Sequence, residues 1–158
     1  MPLKSKDLYS KKRYWYHVST TLKKKTVHLV PWDDIKGFNR ASHEPEGNRI
    51  CVAPTIEQCI TAIPYYLHTK IVIYRTKDEV IAKRPRRVFD SKVTNEGWLV
   101  EPTTFVRIGT LNFAHVEKGL KIDSVIENSA DKDQEVENCW KVLRWWRKAK
   151  IDRFIKKT

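Results

Sequence analysis

No stretch of this chain approaches the roughly 18–20 consecutive apolar residues that a membrane-spanning helix requires, and residues 1–6 form no apolar leader. A membrane partner is therefore not expected. Glycine is scarce, with five in 158 residues and none clustered, which excludes a glycine-rich phosphate loop. The three cysteines, Cys51, Cys59 and Cys139, are an odd set without CxxC spacing. That excludes a disulfide framework and points to free thiols in a reducing, cytoplasmic setting. Cys51 and Cys59 fall on apolar faces and read as core. His28, His43, His68 and His115 have neither the spacing nor the acidic neighbours of a zinc centre, so no metal is expected.

What the chain does contain is aromatic and basic. Six tryptophans and six tyrosines, with 41% hydrophobic residues, indicate a folded chain of one domain. The net charge of +12 is unevenly placed: residues 1–13 hold five basic residues against one acidic, and residues 141–158 hold eight against one. The 127 residues between them are nearly neutral, with 18 basic and 17 acidic. Charge gathered at two ends around a neutral body suggests a polyanionic partner, nucleic acid or a nucleic-acid-bound protein. The plainer alternative is that charged ends keep the protein soluble.

The chain is organised around Tyr14-Trp15-Tyr16-His17-Val18-Ser19. As a strand, it presents Trp15, His17 and Ser19 on one face and Tyr14, Tyr16 and Val18 on the other. Residues 1–13 before it read as a loose basic arm. A turn and a brief strand follow, ending at Pro31, and residues 32–48 read as a long surface loop. Residues 49–53 form a short apolar strand stopped by Pro54. Thr55 then caps a helix, with Gln58 at capping-box spacing; Ile56, Cys59, Ile60 and Ile63 form its buried stripe. Residues 70–75 are a β-branched strand. Shorter strands are expected at 80–82, 88–89 and 97–100, and a longer one at 104–113.

The last segment reads as one amphipathic basic helix from Asp131, its cap, to Lys157. Val136, Cys139, Trp140, Leu143, Trp146, Ile151, Phe154 and Ile155 fall on its apolar half. The expected fold is α+β, with a basic arm over 1–13, a single domain over 14–128 and the basic helix over 129–158 packed on it. Trp145 lies about 140° around that helix from Trp140, at 100° per residue. This puts it on the far face between Lys141 and Lys148, where stacking on a base would explain it. The run Arg84-Pro85-Arg86-Arg87 is a solvated charge cluster or a second phosphate contact.

Tyr16-His17-Val18-Ser19, the long loop, Asn48 to Thr55, the helix, Trp98 to Pro102 and Phe105 to Leu111 together resemble the ADP-ribosyltransferase-like fold. The similarity runs over residues 14–113 in element order and short motifs, and the basic ends lie outside it. It implies a sheet-rich core with a cleft between the strands of His17 and Arg49, and NAD as the cofactor. By that resemblance His17 and Ser19 hold the ribose and nicotinamide, and Thr55 stands at the second motif. Arg49, just before an apolar strand, reads either as a bidentate phosphate clamp in the pocket or as a surface arginine. The family's catalytic glutamate lies four residues before a proline. Counting back from Pro102 gives Trp98, with Glu96 as the remaining acid, so Glu96 is the candidate catalytic residue. The tyrosine that stacks on nicotinamide is absent, because Arg49 and Cys51 stand in its strand.

The expected function is that of an NAD-dependent transferase that ADP-ribosylates a macromolecular target, nucleic acid or a nucleic-acid-associated protein, because His17-x-Ser19 with the following loop is hard to explain as packing alone. The alternative is a non-catalytic binding or inhibitory module on the same fold, acting on a nucleic-acid machine, and the missing tyrosine and Trp98 favour it.

Overall fold

Strand β1 (Tyr16–Ser19) is the hinge of the architecture, because its two faces enter two different cores. The computed structural model describes residues 8–31, 49–62, 70–85, 91–113 and 132–158. Within them the order is β1, β2 (Thr26–Leu29), β3 (Ile50–Val52), α1 (Ile56–Thr61), β4 (Lys70–Thr76), α2 (Ser91–Thr94), β5 (Gly97–Leu99), β6 (Thr103–Asn112), α3 (Lys132–Ala149), a 3-10 helix (Ile151–Phe154) and β7 (Lys156–Lys157). The fold class is α+β. The expected loop at 32–48, the strand at 88–89, and residues Ile63, Arg86, Arg87 and Asp131 lie outside the described residues.

One antiparallel sheet runs β1-β4-β6-β2, with β7 also on β6; a second joins β3 to β5. The two are stitched by the Tyr16–Ala53 bridge, with reciprocal N–H to carbonyl bonds of 2.8 and 3.0 Å. Strand β4 forms where Ile71-Val72-Ile73-Tyr74 places stiff, bulky side chains on a pleated surface. Its alternation sends Ile71 and Ile73 to one face and Val72 and Tyr74 to the other.

Strand β6 does not keep a single alternation. Ile73 stands opposite Gly109 while Tyr74 stands opposite Arg107, so Ile108 is an extra residue, a β-bulge. A one-residue insertion exchanges the faces of everything beyond it. Phe105 therefore faces the two-stranded sheet, whereas Leu111 and Phe113 face the helices, although all three are odd-numbered. The first core joins Trp15, Val27, Ile50, Val52, Tyr74, Leu99 and Phe105 between the sheets. The second joins Ile60 of α1 and Val142, Trp146, Ile151 and Ile155 to the other sheet face.

Helix α1 begins as its sequence indicates: the Gln58 N–H donates to Thr55 Oγ1 at 3.1 Å, and Thr55 Oγ1 donates to Gln58 Oε1 at 2.9 Å. Helix α3 is held by burial. Val142 and Leu143 are buried, and each contributes roughly 1.5–3 kcal/mol. The exposed Arg144–Glu137 pair at 3.5 Å adds at most about 1 kcal/mol. Burial wins. No helix among the described residues is long and apolar enough to cross a membrane.

Three expectations need correction. The C-terminal helix does not run to Lys157. It ends at Ala149, Lys150 takes a left-handed conformation (φ 52°), and the chain turns back through the 3-10 helix into β7. The apolar spacing of Ile151 and Ile155 serves this returning segment. Residues 8–13 are not a loose arm either: Leu8 bridges Lys83 and Arg13 bridges Val80. Residues 80–82 meet the rest through these isolated bridges, without forming a strand.

Candidate functional site

The ring of His17 projects from β1 on the Trp15 side and lies 5.7 Å from Phe105, centroid to centroid. Its Nδ1 is 3.0 Å from the carbonyl oxygen of Cys51. A carbonyl only accepts, so Nδ1 carries the proton and Nε2 keeps the lone pair. Part of the ring stays accessible, yet the protein around it pushes the pKa below the ordinary histidine value. Burial is the larger cause, and the bond to Cys51 opposes it. His17 is neutral near pH 7.

Ser19 ends β1 as a turn former. Its Oγ accepts the N–H groups of Thr21 at 3.1 Å and Leu22 at 2.9 Å. Thr55 is the cap of α1. Both hydroxyls thus serve the backbone around them. Between the strands of His17 and Arg49 there is no cleft at the level of Tyr16 and Ala53, where the chains are hydrogen-bonded.

Arg49, Trp98 and Glu96 meet on the outer face of the β3–β5 pair. Cys51 stands opposite Trp98, and the Arg49 guanidinium lies 4.5 Å over the indole, a cation–π contact worth about 0.5–2 kcal/mol. The Lys83 ammonium approaches the same ring at 6.0 Å. The indole N–H donates to Glu96 Oε2 at 3.3 Å. The carboxylate acts electrostatically on two further groups. The Cys59 thiol is pushed up to about 12, by burial first and by Glu96 second. Tyr9, whose hydroxyl donates to the Glu96 carbonyl at 2.6 Å, is raised by burial first, with Arg84 opposing and Glu96 adding. Cys59 is therefore a protonated, buried thiol and no nucleophile.

Cys51, expected in the core, is exposed. Ile50 and Val52 take the inward face of its strand, and a period of two leaves Cys51 outside. Beside Trp98 an open recess of about 460 Å³ is lined by Leu8, Val80, Lys83, Trp98 and Thr104 among others. His17, Ser19, Arg49, Thr55 and Glu96 are not in its wall.

The structure thus brings Arg49 and Glu96 together on the Trp98 indole and bonds His17 to the Cys51 backbone, while Ser19 supports a turn and Thr55 caps α1. The chain matches no family model, no curated protein and no solved structure.

On the basic side, Lys141 and Lys148 are exposed on α3, and Arg84 is exposed with its guanidinium 5.3 Å over Tyr9. Trp145 is not a free ring on the far face. It is half-buried against the helix-side core, edge-on to Trp146 at 4.8 Å. The apolar sector widens because the chain returns at Lys150 and brings Ile151, Phe154 and Ile155 into that core. Lys83 was not legible as a neighbour of Trp98, nor Tyr9 as a neighbour of Glu96. Their proximity depends on the pairing of residues 8–13 with 80–83, which carries no local sequence signal.

Proposed function

We propose that this chain is a non-catalytic binding module on an ADP-ribosyltransferase-like core, acting on nucleic acid or a nucleic-acid-bound protein. Trp98 carries the reading. It stands where the resembled family has its catalytic glutamate, it is covered by Arg49, and its indole N–H is bonded to Glu96. A carboxylate that stabilises an oxocarbenium-like ribose must face the substrate, and this one faces an indole. The engagement of Ser19 in a turn and of Thr55 as a cap supports the same conclusion, and the basic surface supports a polyanionic partner.

The second reading, an NAD-dependent ADP-ribosyltransferase modifying a macromolecular target, is favoured by one observation. His17 is bonded to the Cys51 carbonyl, and Arg49 and Glu96 both meet the indole of Trp98, which stands opposite Cys51.

Calorimetric titration of the full chain with NAD, followed by mass spectrometry for released nicotinamide, separates the two. The module predicts no nicotinamide release, with or without added nucleic acid, together with salt-dependent nucleic-acid binding. Nicotinamide release that Glu96→Gln abolishes would establish the enzyme instead.

A further inference from the structure

Two lysine runs that are distant in the sequence meet on the edge of β6 that faces away from β4. Thr26 stands opposite Val106, and the Arg107 N–H donates to the Lys25 carbonyl at 2.8 Å. One residue on, the Ile108 carbonyl accepts the Thr158 N–H at 3.1 Å, and then Gly109 and Thr110 stand opposite Lys157 and Lys156. Lys25 and Lys157 are thus anchored at Arg107 and Gly109, on either side of the Ile108 bulge.

The backbone of the Lys23–Lys25 turn is pinned. Its three carbonyls accept from Arg107 Nη1 at 2.6 Å, from the Tyr74 hydroxyl at 2.8 Å and from the Arg107 N–H. The side chains of Lys23, Lys24, Lys25, Lys156 and Lys157 all remain exposed. Among the described residues no carboxylate forms an ion pair with any of them.

We propose that this edge docks the phosphate backbone of nucleic acid; the inference rests on the binding-module reading and names its surface. Five like charges fixed along a strand edge repel one another, and a polyanion relieves that repulsion. The five ammoniums are carried by two segments bound to the same edge of one strand, so one polyanion can reach both. An anionic membrane fits less well, since surface-bound segments add apolar side chains to their cations. Among the described residues the exposed large apolar side chains are Tyr14, Val30, Ile81 and Val100, and none belongs to the two lysine runs.

The test is fluorescence anisotropy with labelled DNA and RNA duplexes of one sequence, across a salt series. It compares the wild-type chain with Lys24→Glu/Lys25→Glu/Lys156→Glu/Lys157→Glu and with the corresponding four Lys→Gln changes. The anchoring contacts use backbone atoms, so both variants should fold, which circular dichroism checks. A control, Lys70→Glu/Lys77→Glu/Lys92→Glu, reverses exposed lysines in the nearly neutral middle of the chain. The edge variants should bind at least tenfold more weakly, with a salt slope lower by about three, at roughly 0.9 per lost phosphate contact. The control should lose less than threefold. Equal losses in edge and control variants would overturn the edge alone, because net charge would then suffice. A wild-type chain that binds neither duplex, or binds only phosphatidylserine vesicles, would overturn the nucleic-acid reading as well.

Discussion

Gly109 leaves no room for a side chain beneath Ile155: a methyl group on its Cα would lie 2.6 Å from Ile155 Cγ2 and 2.8 Å from the Lys156 carbonyl oxygen. The returning C-terminal segment can lie on β6 only because that position is glycine. The contact couples the helix-side core, which contains Ile155, to the basic edge, which contains Lys156 and Lys157.

Gly109→Ala should therefore lift residues 155–157 from the sheet. The expected cost is about 1–3 kcal/mol, the usual penalty for overpacking, read as a lower urea midpoint. Hydrogen exchange localises the effect, since the Thr158 amide, bonded to Ile108, should lose protection before the amides of β4. Unchanged protection at Thr158 would show that the segment accommodates the methyl group.

His17 makes stability depend on pH, with a definite sign. Its folded pKa lies below the unfolded value of 6.5, so between the two the unfolded chain binds the extra proton. The stabilisation is complete above about pH 6.5 and is lost as the pH falls through the folded pKa. In His17→Gln, whose amide can still donate to the Cys51 carbonyl, the slope from this group disappears. Urea titrations of both proteins between pH 7.5 and pH 5 (roughly one unit or more either side of the ordinary histidine value) should diverge most at the acidic end. Parallel profiles would mean that His17 titrates normally in the folded chain.

Lys150 is the reversal point and sits at φ 52° and ψ 63°. A non-glycine residue in this region carries about 1–3 kcal/mol of strain, and glycine restores about 0.5–1 kcal/mol of unfolded-state entropy against that. Lys150→Gly should raise stability by about 0.5–1 kcal/mol, seen as a higher Tm with an unchanged circular dichroism spectrum. Lys150→Val, β-branched and poorly suited to positive φ, should lower it. A rise for both variants would place the reversal elsewhere.

Local features were legible where a short window holds all the physics. The β-branched run of β4, the two-faced alternation of β1 and the Thr55–Gln58 cap each act over a few residues, and each forms where the chain indicates. The first turns of α3 are of this kind as well. The strands that carry His17 and Trp98 were legible, though not how their side chains meet the rest of the chain. Which hydroxyls are spent on turns, and which carboxylate meets an indole, depends on partners brought in from elsewhere.

Composition and periodicity alone determined that this chain folds as α+β, that Ile71 and Ile73 share one face of β4 with Val72 and Tyr74 on the other, and that its charge is uneven. Tertiary structure alone decided the Ile108 bulge, the reversal at Lys150, the half-burial of Trp145 and the meeting of Lys23–Lys25 with Lys156–Lys157. The reason is one of range. Propensity and alternation are properties of neighbouring residues, whereas register, bulges and chain reversals are chosen by the free energy of contacts between distant segments, and a one-residue change in register moves every side chain beyond it to the opposite face.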